Sequence, residues 1–482
     1  MPVRVLVTLL LASLAGAGGI PQAQARRPLR AMWLWNPSAA RADPAARAAL
    51  LDFARRERIG TIWAQVNTVA AAGPPYPPAA RRDHVHASPR SLDEREGWKA
   101  LIAAAHERGI RIEALDGDPA WALAANHHLA LGVVDAVLAY NQQVSPAERF
   151  DGVHLDIEPY LLVAWRFPRS REALLREYLD VITHCQSHVH EFPTMAFGVD
   201  IPFWWQSVDG KTGRAIGEVR FLGTSKAASY HLIDRLDNVG IMNYRNKAAG
   251  QDGMINFGQD LLVYAEQARH AKIWMGVETS RSTPTPVWFV VGQPSGDVDR
   301  LLASDAAGLS PDGRFRGHRL RIIDDVAHTH VGLALPGSDP AAVPGEVREA
   351  LVSLARRFSV LSAPGAPRGD EALDRALRAL RANREWEDPT AVPLEVAGTG
   401  ERFPGIIATN VMLPKLTFAG LPLDVMRREV AEAEGVFAGY STYAGIAIHH
   451  FESYRNLVAG EAGDPPRLPW ARGRAYLFNG MR

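Results

Sequence analysis

From residue 31 onward the chain alternates short apolar runs with longer amphipathic stretches, a rhythm that commits it to strand–helix units around a parallel sheet. The apolar runs are Ala31–Trp35, Ile59–Val66, Ile110–Leu115, Gly152–Ile157, Met195–Asp200, Val239–Tyr244, Ile273–Glu278 and Gly445–His450, eight strands in all. Between them Pro44–Glu57, Trp98–Arg108, Val133–Gln143, Ser170–His190 and Gly258–Ala271 read as helices long enough to be crossovers. Eight strands with intervening helices favour a closed (β/α)8 TIM barrel over an open doubly wound sheet. No Gly-x-Gly-x-x-Gly follows the first strand, which speaks against a dinucleotide fold.

The seventh strand ends near Glu278 and the eighth begins near Gly445, a span too long for a loop. Residues 281–412 are therefore expected to form an inserted α+β subdomain. Its strands would be Val287–Val291, His318–Ile323 and His330–Leu335, and its helices Pro344–Phe358 and Asp370–Glu385. Strands 1–7 would occupy residues 26–280, and the last strand with a C-terminal segment residues 413–482. The insertion would leave the barrel at the C-terminal ends of its strands, the face where barrel active sites form. Pro74–Pro78 reads as a short Pro-rich loop.

The first 25 residues carry basic Arg4, an apolar stretch over Val5–Leu14 and the small-residue sequence Ala23-Gln24-Ala25, the pattern of a secretory signal cleaved after Ala25. The expected location is secreted or periplasmic. No later stretch is apolar and long enough to span a bilayer. Lys+Arg and Asp+Glu are both 53, so the net charge of zero points neither to nucleic acid nor to an anionic membrane, and a neutral ligand fits better. The lone Cys185 excludes an intramolecular disulfide and reads as a buried helix residue.

The most informative run is Phe150-Asp-Gly-Val-His-Leu-Asp-Ile-Glu-Pro159. Strand alternation puts His154, Asp156 and Glu158 on one face and Val153, Leu155 and Ile157 on the other. The apolar set suits the helix layer, so the polar set should point into the barrel, with Glu158 last, at the C-terminal end. Charges there are costly unless they are bonded or functional. A structural ion-pair site with an arginine is the alternative. His154 is expected beside Asp156 as a coupled pair, and Glu158 is the natural proton donor.

This segment resembles the fourth-strand motif Asp-Gly-x-Asp-x-Asp-x-Glu of glycoside hydrolase family 18, the chitinase-like enzymes. Asp151, Gly152, Asp156 and Glu158 match it, and His154 replaces the middle Asp. Met242-Asn243-Tyr244 looks like the family's sixth-strand Met-x-Tyr-Asp, with Arg245 in place of the Asp. The family's eighth-strand Trp is absent from Gly445–Glu452. The resemblance implies hydrolysis of a carbohydrate with retention, in which the substrate's own 2-acetamido oxygen attacks the anomeric carbon. Glu158 would protonate the leaving oxygen, Asp156 would orient the acetamido group and Tyr244 would bond it. No cofactor is implied.

Other residues at strand ends are weighed for substrate binding: Asp200, Glu278, Asn243 and His154 among the polar ones, Trp35 and Trp204 among the aromatics, since flat sugar faces stack on rings. One of the tandem pair Trp204 and Trp205 is expected to be exposed. Asp116-Gly-Asp118-Pro is as readily a turn as a subsite. The histidines at 127–128, 184, 188, 190 and 449–450 lack the spacing of a His-Glu-x-x-His site, so no metal is expected. Two rival readings are a carbohydrate-binding barrel without catalysis and a cell-wall amide hydrolase. Neither a Gly-x-Ser-x-Gly elbow nor a Cys–His pairing supports the latter.

Overall fold

The computed structural model describes residues 30–71, 89–210, 212–325, 327–336, 343–361 and 369–460; the expected signal segment, Pro74–Pro78 and the tail after residue 460 lie outside them. Seven strands run in chain order: β1 (Arg30–Leu34), β2 (Ile59–Gln65), β3 (Arg111–Asp116), β4 (Gly152–Leu155), β5 (Ala196–Pro202), β6 (Asn238–Met242) and β7 (Lys272–Glu278). Each pairs in parallel with the next. After β7 the chain departs into an insertion whose main sheet has six strands: β8 (Thr285–Pro294), β9 (Arg314–Phe315), β10 (His318–Asp324), β11 (His328–Ala334), β12 (Trp386–Ala391) and β13 (Gly405–Asn410). It returns as β14 (Tyr443–His449), which pairs in parallel with both β7 and β1 and closes an eight-stranded TIM barrel.

Alternation decides which side chains fill the barrel. On β1, Met32 and Leu34 join the large core beneath the helices, whereas Ala31 and Trp33, with Trp35 just beyond the strand, turn inward. There they meet Trp63, Leu115 and Ala447, so the lumen is plugged by tryptophan rings. Helices α1 (Pro44–Arg56), α2 (Arg95–His106), α3 (His127–Gln142), α4 (Pro168–Val189), α5 (Ala228–Ile233) and α6 (Met254–Ala268) form the outer layer. α1 starts where Asp43 accepts from the Ala45 and Ala46 amides with Pro44 at its first position. It buries Leu50, Leu51 and Phe53. Cys185 is buried in α4. No helix among the described residues is long and apolar enough to cross a membrane.

The insertion is an antiparallel sheet of order β9-β10-β11-β8-β13-β12. Along β8, Trp288 and Val290 face a core built with α7 (Gly345–Ser359). Val287, Phe289 and Val291 face a second core with α8 (Gly369–Ala382). A helix on each face explains why β8 is apolar on both sides. The chain leaves and rejoins the barrel at one place: the Phe418 amide donates to the Glu278 carbonyl at 2.9 Å, and the Thr417 hydroxyl to the Ser280 carbonyl at 2.7 Å. The helix α9 (Leu423–Phe437) then crosses over to β14.

Candidate active site

The polar residues of the fourth strand separate by depth. Asp151, at the start, is occupied structurally: its Oδ2 accepts from the Ile112 amide at 2.7 Å and lies 3.0 Å from His106 Nε2. That hydrogen bond raises the His106 pKa above its ordinary value despite partial burial. His154, wholly buried, stacks on Trp63 with ring centroids 3.9 Å apart. Its Nε2 lies 3.0 Å from Oδ1 of Asp200, an ion-pair approach without hydrogen-bond geometry. Asp200 Oδ2 accepts from Trp33 Nε1 at 2.9 Å. The expected His154–Asp156 pair is therefore corrected: the partner is Asp200. Side chains two apart on a strand are separated by about 6.6 Å, whereas an adjacent strand lies about 4.8 Å away. Gly198, in register with His154, leaves the imidazole room, because a Cβ there would come 2.8 Å from its Nδ1. Deeper still, Trp63 Nε1 donates to Glu113 at 3.1 Å. Burial raises the Glu113 pKa, with His154 and Arg111 opposing it.

Asp156 and Glu158 stand at the mouth, just beyond β4, only 5% and 6% exposed. The Asp156 amide donates to the Asp116 carbonyl at 2.9 Å. Gly117 is required at this crossing, since a Cβ on it would lie 2.0 Å from the Asp156 carbonyl oxygen. Pro159 ends the ladder and starts a 3-10 turn, Pro159–Leu161. The turn brings Tyr160 back so that its hydroxyl donates to Glu158 Oε1. Burial, then the Glu158 charge, pushes the Tyr160 pKa well above its ordinary value, and Asp156 and Tyr244 add to the effect. Tyr160 thus keeps its proton and remains a donor. Tyr244 is buried just beyond β6, with its ring 5.8 Å from that of His449.

A second buried constellation joins β7, β14 and the end of β1. Trp35 Nε1 donates to His449 Nε2 at 2.8 Å, and His449 Nδ1 lies 2.8 Å from Glu278 Oε2. An indole can only donate, so His449 accepts at Nε2 and carries its proton on Nδ1 toward the carboxylate. The other Glu278 oxygen accepts from the Thr279 and Ser280 amides and the Ser280 hydroxyl at 2.7–2.8 Å. Burial alone would raise the Glu278 pKa; His449 and these donors outweigh it and leave it lowered. Trp35 and Glu278, read as substrate-binding residues, are thereby engaged with His449, which sequence reasoning placed only at a strand end. Beside it, His450 Nδ1 lies 2.8 Å from Glu452.

Several expectations are corrected here. Asn243 does not face the mouth; its amide donates to the Met254 carbonyl at 2.7 Å and holds the start of α6. Arg245 pairs with Asp252 at 2.7 Å, its guanidinium packed against Phe203 and Phe257, and so turns away from the site. Trp204 and Trp205 are both buried, because the chain turns after Pro202 and inserts both rings among Tyr160, Trp165 and Tyr178. Asp118 caps a short helix by accepting from the Ala120 amide. The Tyr160–Glu158 bond was not legible in the sequence, because it depends on the turn that folds Tyr160 back onto its neighbour. Among the described residues no group of three His, Cys, Asp or Glu side chains converges on a metal position; His188, for example, is engaged with Asp135.

Fold and site together define a TIM-barrel protein with two carboxylates and two tyrosines at the C-terminal ends of β4 and β6. Neither a family model nor a curated protein matches the chain. Among solved structures it aligns with a chitinase from Bacteroides thetaiotaomicron at 12% identity, covering 90% of this chain and 94% of that one, with a TM-score of 0.35. It also aligns with the spore cortex-lytic enzyme SleL of Bacillus cereus at 12% identity, over 95% and 81% of the two chains, with a TM-score of 0.32. A third alignment, with the PgaB (BpsB) glycoside hydrolase domain of Bordetella bronchiseptica, has 11% identity over 52% and 85% and a TM-score of 0.30. At these scores function has to be read from the site itself.

Proposed function

We propose that this chain is an exported glycoside hydrolase that cleaves a polysaccharide or oligosaccharide, with Glu158 as proton donor. The observation that carries the reading is the placement of Glu158: it stands at the mouth end of β4, two residues from Asp156, with the Tyr160 hydroxyl on one oxygen. The Tyr160 bond orients the carboxyl group, and near-burial strengthens every electrostatic interaction it makes. In the substrate-assisted course that the motif implies, Glu158 protonates the glycosidic oxygen as the bond to the anomeric carbon breaks. The acetamido oxygen of the substrate attacks that carbon, held by Asp156 and Tyr244. Water then opens the cyclic intermediate, with Glu158 taking its proton. N-acetylhexosamine polymers are the substrate class this course requires.

Incubation with chitin oligomers, poly-galactosamine, peptidoglycan and neutral glucans, with new reducing ends measured, tests the proposal. Reducing ends from an N-acetylated polymer support it. Binding without cleavage would make the chain a carbohydrate-binding barrel. Release of peptide from peptidoglycan without reducing ends would make it an amide hydrolase.

A further inference from the structure

The loop that follows Glu158 is gripped from two sides. On the barrel side, Trp165 lies 5.7 Å from Trp204 and 6.3 Å from Tyr160, centroid to centroid. On the other side the loop meets the insertion. Arg166 Nη1 and Nη2 both donate to the Asp324 carboxylate at 2.7 Å, a two-pronged contact with the end of β10. Its Nε donates to Asp299 at 2.6 Å, and Nη2 also reaches Thr329 of β11 at 3.1 Å. Thr329 in turn donates to Asp324 at 2.6 Å, which fixes the acceptor. Val163 and Phe167, on either side of Arg166, pack against the insertion's α7 core, and a Cβ on Gly313 would meet Val163 at 3.0 Å. An isolated surface pair is worth little, but a bidentate guanidinium shared by three acceptors on three elements is a rigid clamp.

We propose that the insertion is a working part of the active site, and that Arg166, clamped to Asp324 and Asp299, is a positioning residue that seats the 159–167 loop and so holds Tyr160 on Glu158. The proposal rests on the hydrolase reading for its catalytic consequence, though not for the clamp. Five residues lie between Tyr160 and Arg166, both ends of that run are anchored, and the Tyr160 hydroxyl donates to Glu158. Freeing the Arg166 end lets the turn at Pro159 relax and loosens the bond to the carboxyl. A donor on a carboxylate favours its charged form, so losing it raises the Glu158 pKa and moves the alkaline limb of the pH–rate profile to higher pH.

Full-length Arg166→Ala, Arg166→Lys and Tyr160→Phe test this, with Arg356→Ala, which breaks an exposed pair with Glu401 elsewhere on the insertion, as control. Amide hydrogen exchange is followed without substrate, and kcat and KM on chitin oligomers are followed against pH. Arg166→Ala is expected to speed exchange across residues 159–167 by about tenfold or more. It is also expected to lower kcat about tenfold while KM stays within about twofold. Its alkaline limb should shift in the same direction as that of Tyr160→Phe, Arg166→Lys should recover part of each effect, and Arg356→Ala should change none of them. Unchanged exchange in Arg166→Ala, or a limb that moves in Tyr160→Phe alone, would overturn the proposal. If the wild-type protein cleaves no substrate, the hydrolase reading fails and the positioning role falls with it, while the exchange result still decides whether Arg166 seats the loop.

Discussion

His154 lies wholly buried between the Trp63 ring and the Asp200 carboxylate, whose other oxygen is held by Trp33. Removing one partner of such a pair leaves an uncompensated polar group in the barrel, which costs about 3–5 kcal/mol. His154→Ala is therefore expected to lower unfolding stability by that order in denaturant titration, and His154→Asp to lower it further by setting two carboxylates together. A change below about 1 kcal/mol in both would contradict the pairing, given the usual cost of losing a buried partner. Glu278 gives a pH dependence of known sign. Its folded pKa is lowered, so the stability it contributes is fully present above its unfolded pKa and is lost as pH falls through the folded value. Unfolding free energy measured from pH 7 downward should decline below the ordinary carboxylate range of about 4. Glu278→Gln should flatten that decline; an identical pH slope in both proteins would refute the assignment.

At the scale of elements, the crossing of β3 and β4 is set by Gly117, which passes against the Asp156 backbone. Gly117→Ala should push the mouth of β4 aside and destabilise the fold by about 1–3 kcal/mol, measurable as a lower Tm; an unchanged Tm would mean the strands part easily there. The eight barrel strands were legible because each is a compact apolar run between helical stretches, and in β4 the period of two also revealed which side chains face inward. Which neighbour an inward side chain meets was not legible. His154 reaches Asp200 only because the register places Gly198 beside it, and register belongs to the closed sheet rather than to one strand. The insertion strands β12 and β13 escaped for a different reason. Trp386–Ala391 is mostly polar and contains Pro389, which an edge strand tolerates, and Gly405–Asn410 is short and follows Pro404. The helix α5, six residues long, is too short to show a period.

The whole molecule is a barrel plugged by tryptophans, with a separately cored insertion docked beside the mouth through Arg166, Val163 and Phe167. The insertion leaves and returns at the β7 end, so a sizeable unit is added where it can shape the site while the barrel ladder continues from β7 to β14. Net charge of zero gives this assembly no long-range electrostatic attraction for an anionic polymer, in keeping with a neutral carbohydrate ligand. The proposed chemistry depends on one carboxyl group, Glu158, at the mouth of β4. The direct test is turnover by Glu158→Gln, which keeps the side-chain shape and removes the proton, on whichever polymer the wild-type protein cleaves. With folding intact by thermal unfolding, kcat is predicted to fall at least about a hundredfold, and an unchanged kcat would contradict the assignment of Glu158 as proton donor.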